Sequence, residues 1–321
     1  MTIRRFFVKV HQYTGLTAAV FLVVIGLSGS LLAFEADYDR WLNPALWRVN
    51  SAQPRMSEQA LVDFVQHQFG DSVTGARVAQ IDMPQDDLAQ VFELTSGLRV
   101  YVDPYSGRVT GARRGRTELE RFLLNVRIVH TRLFAGERGR WTVDVVSVLV
   151  VLLLVPIGVY LWWNKRRATV AWRASWKRIN WDLHSAVGIY AAAFVIVLAG
   201  SGVFMGYEAP LYWLIRSAPE ESPRLPRSSL PTNSDRAPIA RANLDSLLAR
   251  ADAALPRART VQVVLPLRPR SVFQVFRRGG SSGTSSVALD QYSGRVLLVD
   301  DFARASRALR ARTIDQAVHL G

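Results

Sequence analysis

Tyr13-Thr-Gly-Leu-Thr-Ala-Ala-Val-Phe-Leu-Val-Val-Ile-Gly-Leu-Ser-Gly-Ser-Leu-Leu-Ala-Phe34 runs for 22 residues without a charge. At about 1.5 Å of rise per residue, a helix of roughly 20 residues crosses the hydrocarbon core of a bilayer. Trp141 to Trp163 and Ser185 to Tyr207, each of 23 residues, have the same character, with Asp144 as their one charge. A helix buried in a soluble core is usually shorter or carries a polar stripe, so these runs read as three transmembrane helices. Arg4, Arg5 and Lys9 precede the first run, as in a signal peptide. The run is too long for a signal-peptide core, and Phe34-Glu-Ala-Asp-Tyr38 offers no small-residue cleavage site, so a retained anchor is expected.

The formal net charge is +14, but where the charge lies matters more than its sum. The short segment 164–184 holds Lys165, Arg166, Arg167, Arg173, Lys177 and Arg178 against Asp182. The long segments are nearer balance, with 14 basic to 13 acidic residues over 36–140 and 17 to 10 over 208–321. Short basic loops stay in the cytoplasm, whereas long segments translocate largely regardless of charge. The expected layout is a cytoplasmic N-terminus and first helix (1–35), an outer domain (36–140) and a second helix (141–163). A cytoplasmic loop (164–184), a third helix (185–207) and a second outer domain (208–321) complete it. The arginines are scattered rather than gathered into a patch, which argues against nucleic acid as a partner. With no cysteine in the chain, disulfides, thiolate metal sites and a cysteine nucleophile are excluded.

The chain also repeats itself. His11-Gln-Tyr-Thr-Gly15 aligns with His184-Ser-Ala-Val-Gly188 at an offset of 173 residues. In that register Ala18 meets Ala191, Ala19 meets Ala192, Phe21 meets Phe194, Ser28-Gly29 meets Ser201-Gly202, and Glu35 meets Glu208. In the outer segments, Val102-Asp-Pro-Tyr-Ser-Gly-Arg-Val109 matches Leu289-Asp-Gln-Tyr-Ser-Gly-Arg-Val296. Each reads as a strand, a tight turn with glycine where φ must be positive, and a second strand. A helical pattern precedes each: Ser57 to Phe69, with Ser57 as N-cap, and Ala242 to Leu255. Alternating runs at Leu88 to Leu94 and Val261 to Leu265 supply further strands, and Ser217 to Pro238, rich in Pro, Ser and Arg, reads as a connector. The fold class is therefore membrane α plus α+β, an internal duplication of a helix followed by a small domain of one helix on an antiparallel sheet. A full duplication predicts a fourth membrane helix just beyond Gly321.

Four of the five histidines fall at membrane boundaries. His11 and His184 sit at the cytoplasmic ends of the first and third helices, and His130 and His319 lie on the outer side in short helical segments. Neutral imidazoles at matching depth on neighbouring helices are what a low-spin haem iron needs as axial ligands. Gly15 and Gly188 follow the inner histidines by one helical turn and would leave room for a flat macrocycle, with Phe21, Phe194 and Ala191 as apolar surroundings. A histidine at a helix end also serves simply as an interfacial cap, and an exposed surface residue is the expectation for His67. A zinc site is poorly supported, because no HExxH motif exists and histidines at opposite membrane faces cannot share one ion.

At His11-x-x-x-Gly15-Leu16, the two Asp-x-Tyr-Ser-Gly-Arg turns, Val129-His130 and Val318-His319-Leu320-Gly321, the chain resembles the PepSY-associated transmembrane family. That family includes inner-membrane ferric-siderophore reductases of the ferrioxamine reductase type. The resemblance implies four membrane helices, two periplasmic PepSY domains and one or two b-type haems. The candidate ligands are His11, His184, His130 and His319, with the outer site the less supported because the chain stops before a fourth helix. It implies an electron conduit of the bacterial inner membrane that reduces a periplasmic ferric-siderophore. The donor would be a separate protein or a membrane quinol, since the short loop cannot house a flavin domain and no Gly-rich dinucleotide fingerprint follows a strand. The competing expectation is a membrane-anchored PepSY binding or regulatory module without redox activity. No nucleophile elbow or paired catalytic carboxylates point to a hydrolase.

Overall fold

The structure, a computed structural model, describes residues 3–50, 53–70, 75–84, 87–163, 169–218, 224–229, 240–279 and 283–320. The Lys165-Arg-Arg167 cluster, residues 219–223 and 230–238 of the expected connector, and Gly321 lie outside them. The first part of the chain runs α1 (Ile3–Leu32), α2 (Glu35–Leu42), α3 (Pro44–Trp47), α4 (Glu58–Phe69), β1 (Val78–Asp82), β2 (Gln90–Leu94), β3 (Leu98–Val102), β4 (Val109–Arg114) and α5 (Glu118–Arg132). Then follow α6 (Gly136–Leu149), a π-helical turn (Val150–Leu154), α7 (Val155–Trp163), α8 (Trp176–Gly206) and α9 (Glu208–Leu214). The remainder is α10 (Leu244–Ala254), β5 (Arg259–Val264), β6 (Phe273–Arg278), β7 (Thr284–Leu289), β8 (Val296–Asp300) and α11 (Arg307–Leu320). These form two compact bodies, one of Met1–Ala36, Glu118–Ala218 and Ala311–Gly321, the other of Asp37–Thr117 and Pro219–Arg310.

The first body is helical. Among the described residues, three helices are long and apolar enough to cross a membrane: Ile3–Leu32, the continuous Gly136–Trp163, and Trp176–Gly206. In hydrocarbon every backbone polar group must find its partner within the segment, which the α-helix achieves. Leu16, Val20, Leu27, Leu152 and Phe194 stand exposed on these helices. A charge-free stretch with its large apolar side chains outward has lipid as its natural solvent. α1 packs against α5 and α7, and α8 against α6 and α7. The Gly136–Trp163 helix is not regular. Pro156 lacks the N–H that a normal turn would use, and the chain passes through the π turn, where the Val155 N–H reaches back to the Val150 carbonyl.

The second body holds a single antiparallel sheet of eight strands, in the order β4-β3-β2-β1-β5-β6-β7-β8. Separate sheets in each outer segment were expected; instead the two sets of four strands join where β1 pairs with β5, Gln80 opposite Val264 and Asp82 opposite Gln262. Pairing removes two edges whose free N–H and C=O groups would otherwise stand open. α4 and α10 cover one face, and Leu61, Val65, Ile81, Phe92, Leu247, Val263, Phe273 and Val275 form the core between. α4 starts as expected from Ser57, whose hydroxyl accepts the Ala60 N–H.

The two Asp-x-Tyr-Ser-Gly-Arg segments are the β3–β4 and β7–β8 turns, and Gly107 and Gly294 both take φ of +69°. Asp103 accepts from the Tyr105 N–H, and Asp290 from the Tyr292 and Ser293 N–H groups. Burial works against the Asp290 charge, but hydrogen bonds from the Ser229 hydroxyl and three backbone N–H groups outweigh it and hold the carboxyl well below its ordinary range.

Candidate functional site

The helical body brings the four boundary histidines together as two pairs. His11 on α1 and His184 on α8 have ring centres 6.1 Å apart, with ring planes at 70°. His130 on α5 and His319 on α11 have ring centres 6.0 Å apart and planes at 52°. His67 lies exposed in the last turn of α4, in the sheet body, which holds neither pair.

The pair expected on the outer side, His130 and His319, is built twice by the same device, and the two pairs keep the labels outer and inner from that expectation. The His130 ring rests on Gly29 of α1, where a Cβ would stand 2.9 Å from its Cε1. The His319 ring rests on Gly202 of α8, where a Cβ would stand 3.1 Å from its Cε1. His130 Nδ1 lies 3.0 Å from the Ile25 carbonyl and 3.2 Å from Ser28 Oγ. His319 Nδ1 lies 3.2 Å from the Leu198 carbonyl and 3.0 Å from Ser201 Oγ. A carbonyl oxygen only accepts, so each Nδ1 carries the proton and each Nε2 the lone pair that a metal requires. Ion pairs tie each histidine-bearing helix to its neighbour: Arg127 of α5 to Glu35, and Arg312 of α11 to Glu208 at 3.0 Å. Glu35 and Glu208 are the equivalent glutamates of the 173-residue register.

The inner pair is supported differently. His11 rests on Gly158 of α7, where a Cβ would stand 3.0 Å from its Cε1. Its Nδ1 is buried without a hydrogen-bond partner. Gly15 does not face an open space, for the Leu154 side chain meets its Cβ position at 3.4 Å. Gly188 has nothing within 4 Å of its own, so of the two glycines it is the one that leaves room. Phe194 points outward, 71% exposed.

Asp144, the one charge in the membrane runs, lies near the middle of α6. It lies 3.9 Å from Arg140 and 3.3 Å from the Cβ position of Gly206, one turn beyond Gly202.

The donor set can be tested against the group the histidines suggest. An ion bonded to two opposed imidazoles at about 2 Å on each side sets the ring centres about 6 Å apart, which both pairs match. Among the described residues no group of three or more His, Cys, Asp or Glu gathers around an ion. Two imidazoles alone leave a metal's other positions to be filled by something else, which is the situation of an iron already held in a porphyrin. The buried, unpartnered His11 Nδ1 and the ring seats at Gly29, Gly158 and Gly202 are compatible with such a group.

The charge-free helices and the antiparallel sheet define a multi-pass membrane protein that also carries a folded sheet domain. The family model of the PepSY-associated TM region matches residues 8–267. The chain belongs to the PepSY-associated transmembrane family. No curated protein matches the sequence.

Sequence reading did not find the glycine seats or the serines. Ser28-Gly29 and Ser201-Gly202 stood in the repeat as matched dyads, and that match was the available signal. Gly158 had none, because it lies on the helix without a repeat partner.

Proposed function

We propose that this chain is a haem-holding electron conduit of a bacterial inner membrane that reduces ferric iron, carried by a siderophore, on the periplasmic side. The observation that carries this reading is the ring spacing, 6.1 Å in one pair and 6.0 Å in the other. In it, His11 and His184 hold one b-type haem and His130 and His319 a second. When bound, haem supplies reversible one-electron exchange. The chain's own part is to present neutral imidazoles, keep water from them with apolar helices, and space the two pairs along α1. The inner pair lies at the end marked by Arg4, Arg5 and Lys9 and by Arg173, Lys177 and Arg178, which supports a cytoplasmic position for it. The sheet body then lies in the periplasm. Electrons enter from a separate reductase or from a membrane quinol. One electron converts a ferric ion to ferrous, which binds hard oxygen donors less tightly and so leaves its carrier. Two sets of four strands in one sheet, with matched Ser-Gly seats in the bundle, support duplication of a helix-plus-domain unit.

The test is an absorption spectrum of the full chain, solubilised in detergent from haem-replete cells. A sharp reduced α-band is expected, and His11→Ala with His184→Ala should remove the inner share of it. Colourless protein would overturn the reading and leave a membrane-anchored PepSY module that binds a partner without electron transfer.

A further inference from the structure

The two histidine pairs share a spacing but not a support. We infer that Ser28 and Ser201, with the carbonyls of Ile25 and Leu198, are positioning residues that lock His130 and His319 as Nδ1–H tautomers, so that Nε2 of each is available to a metal before any cofactor arrives. The inference deepens the haem reading and rests on it only for the metal's identity. The tautomer assignment stands on the hydrogen bonds alone.

Ser28 donates to the Val24 carbonyl at 2.7 Å, so its lone pairs are left for the His130 ring at 3.2 Å. Ser28 and Ser201 are both buried, 6% exposed each, so water does not compete for the imidazole proton there. The adjacent glycine removes the side chain that would push each ring off, and lets Nδ1 reach the helical carbonyl three residues before the serine, which also lies within reach of the serine hydroxyl. The carbonyl, serine and glycine recur at an offset of 173 residues on α1 and α8, and each set meets a histidine ring carried on α5 or α11. A satisfied histidine cap on one helix would be an ordinary structural contact. Two such contacts whose ring centres lie 6.0 Å apart bring two imidazoles, each with a free Nε2 lone pair, to the spacing that one metal ion between them would set.

A ring N–H donated to a carbonyl or hydroxyl raises the basicity of the opposite nitrogen. A more basic axial ligand stabilises ferric over ferrous iron, so these contacts lower the potential of an iron held between His130 and His319. No serine contact of this kind acts on His11, whose Nδ1 is unpartnered.

The decisive measurement is ¹⁵N NMR of the haem-free full chain labelled at histidine, in nanodiscs, with His130→Gln and His319→Gln variants to assign the signals. His130 and His319 are expected as Nδ1–H tautomers. Ser28→Ala with Ser201→Ala should raise the Nε2–H population severalfold, and Ser28→Thr with Ser201→Thr should restore the original. Nε2–H tautomers in the unmodified protein, or populations that ignore both serines, would overturn the inference whatever the fate of haem. In haem-loaded protein, the alanine pair should shift the outer ferric/ferrous equilibrium about threefold towards ferrous, about 28 mV for one electron, with the inner component unmoved. An outer potential that does not move would refute the tuning role. Colourless protein with the expected tautomers would instead refute the haem reading and leave the tautomer assignment standing.

Discussion

The inner and outer histidine pairs have nearly the same separation, yet the chain reaches it by different means. At the outer pair both rings are tied by hydrogen bonds to a serine and a backbone carbonyl, seated on glycine, and carried on helices held by ion pairs to Glu35 and Glu208. At the inner pair His11 is seated on a glycine that follows a π turn, and its Nδ1 has no hydrogen-bond partner. α5 and α11 lie outside the candidate spans, so their histidines must be brought to the bundle and fixed there. His11 and His184 are already on the long helices, and the packing of α1, α7 and α8 sets their approach.

The largest test of this contrast removes one pair at a time. His130→Ala with His319→Ala should abolish the outer haem component and leave the inner intact, read as haem per polypeptide and as the number of redox waves. Loss of both together would mean that the pairs are not independent sites. A step smaller, Gly202→Ala places a Cβ 3.1 Å from the His319 ring, while Gly200→Ala, with nothing within 4 Å, is the control on the same helix. The first should lower outer haem occupancy severalfold and the second should leave it unchanged; equal effects would refute the seat. The smallest effect is expected for Gly158→Ala. Its Cβ would come to 3.0 Å from His11, but that ring lacks the serine contact of the outer pair and its Nδ1 has no partner, so it can give way. Inner occupancy should therefore fall less than outer occupancy falls in Gly29→Ala, where the ring is pinned by two acceptors. The reverse order would show that packing holds a ring here more firmly than hydrogen bonds do.

Much of the bundle is legible in the sequence, because charge-free length is a direct consequence of the solvent. The ends of the spans are not. α1 begins at Ile3 rather than Tyr13, since Arg4, Arg5 and Lys9 continue the helix into the polar region, where backbone bonding and not hydropathy sets the boundary. The depth of each histidine could be counted along its helix, and the observed pairs follow that depth. What could not be counted is which residue meets a ring from another helix. Ser28 and Gly29 are apparent as a repeated dyad, but their relation to His130 depends on how α5 lies over α1. Gly158 depends further on Pro156, through a turn that has no signal beyond the proline itself. In the sheet body the helices and hairpin turns are local and readable. The β1–β5 pairing spans about 180 residues of chain, and alternation along a strand names its buried face without naming its neighbour.

That central pairing bears on how the outer body can be taken apart. With β1 and β5 at the middle of the sheet, neither set of four strands has a finished edge where they meet. A fragment ending before the connector would present the Val78–Asp82 backbone as an open template, ready to recruit another chain. The same holds for Arg259–Val264 in a fragment beginning after it. Expression of either half alone should therefore yield strand-paired dimers or aggregates, and only a chain containing both should give a monodisperse soluble sheet.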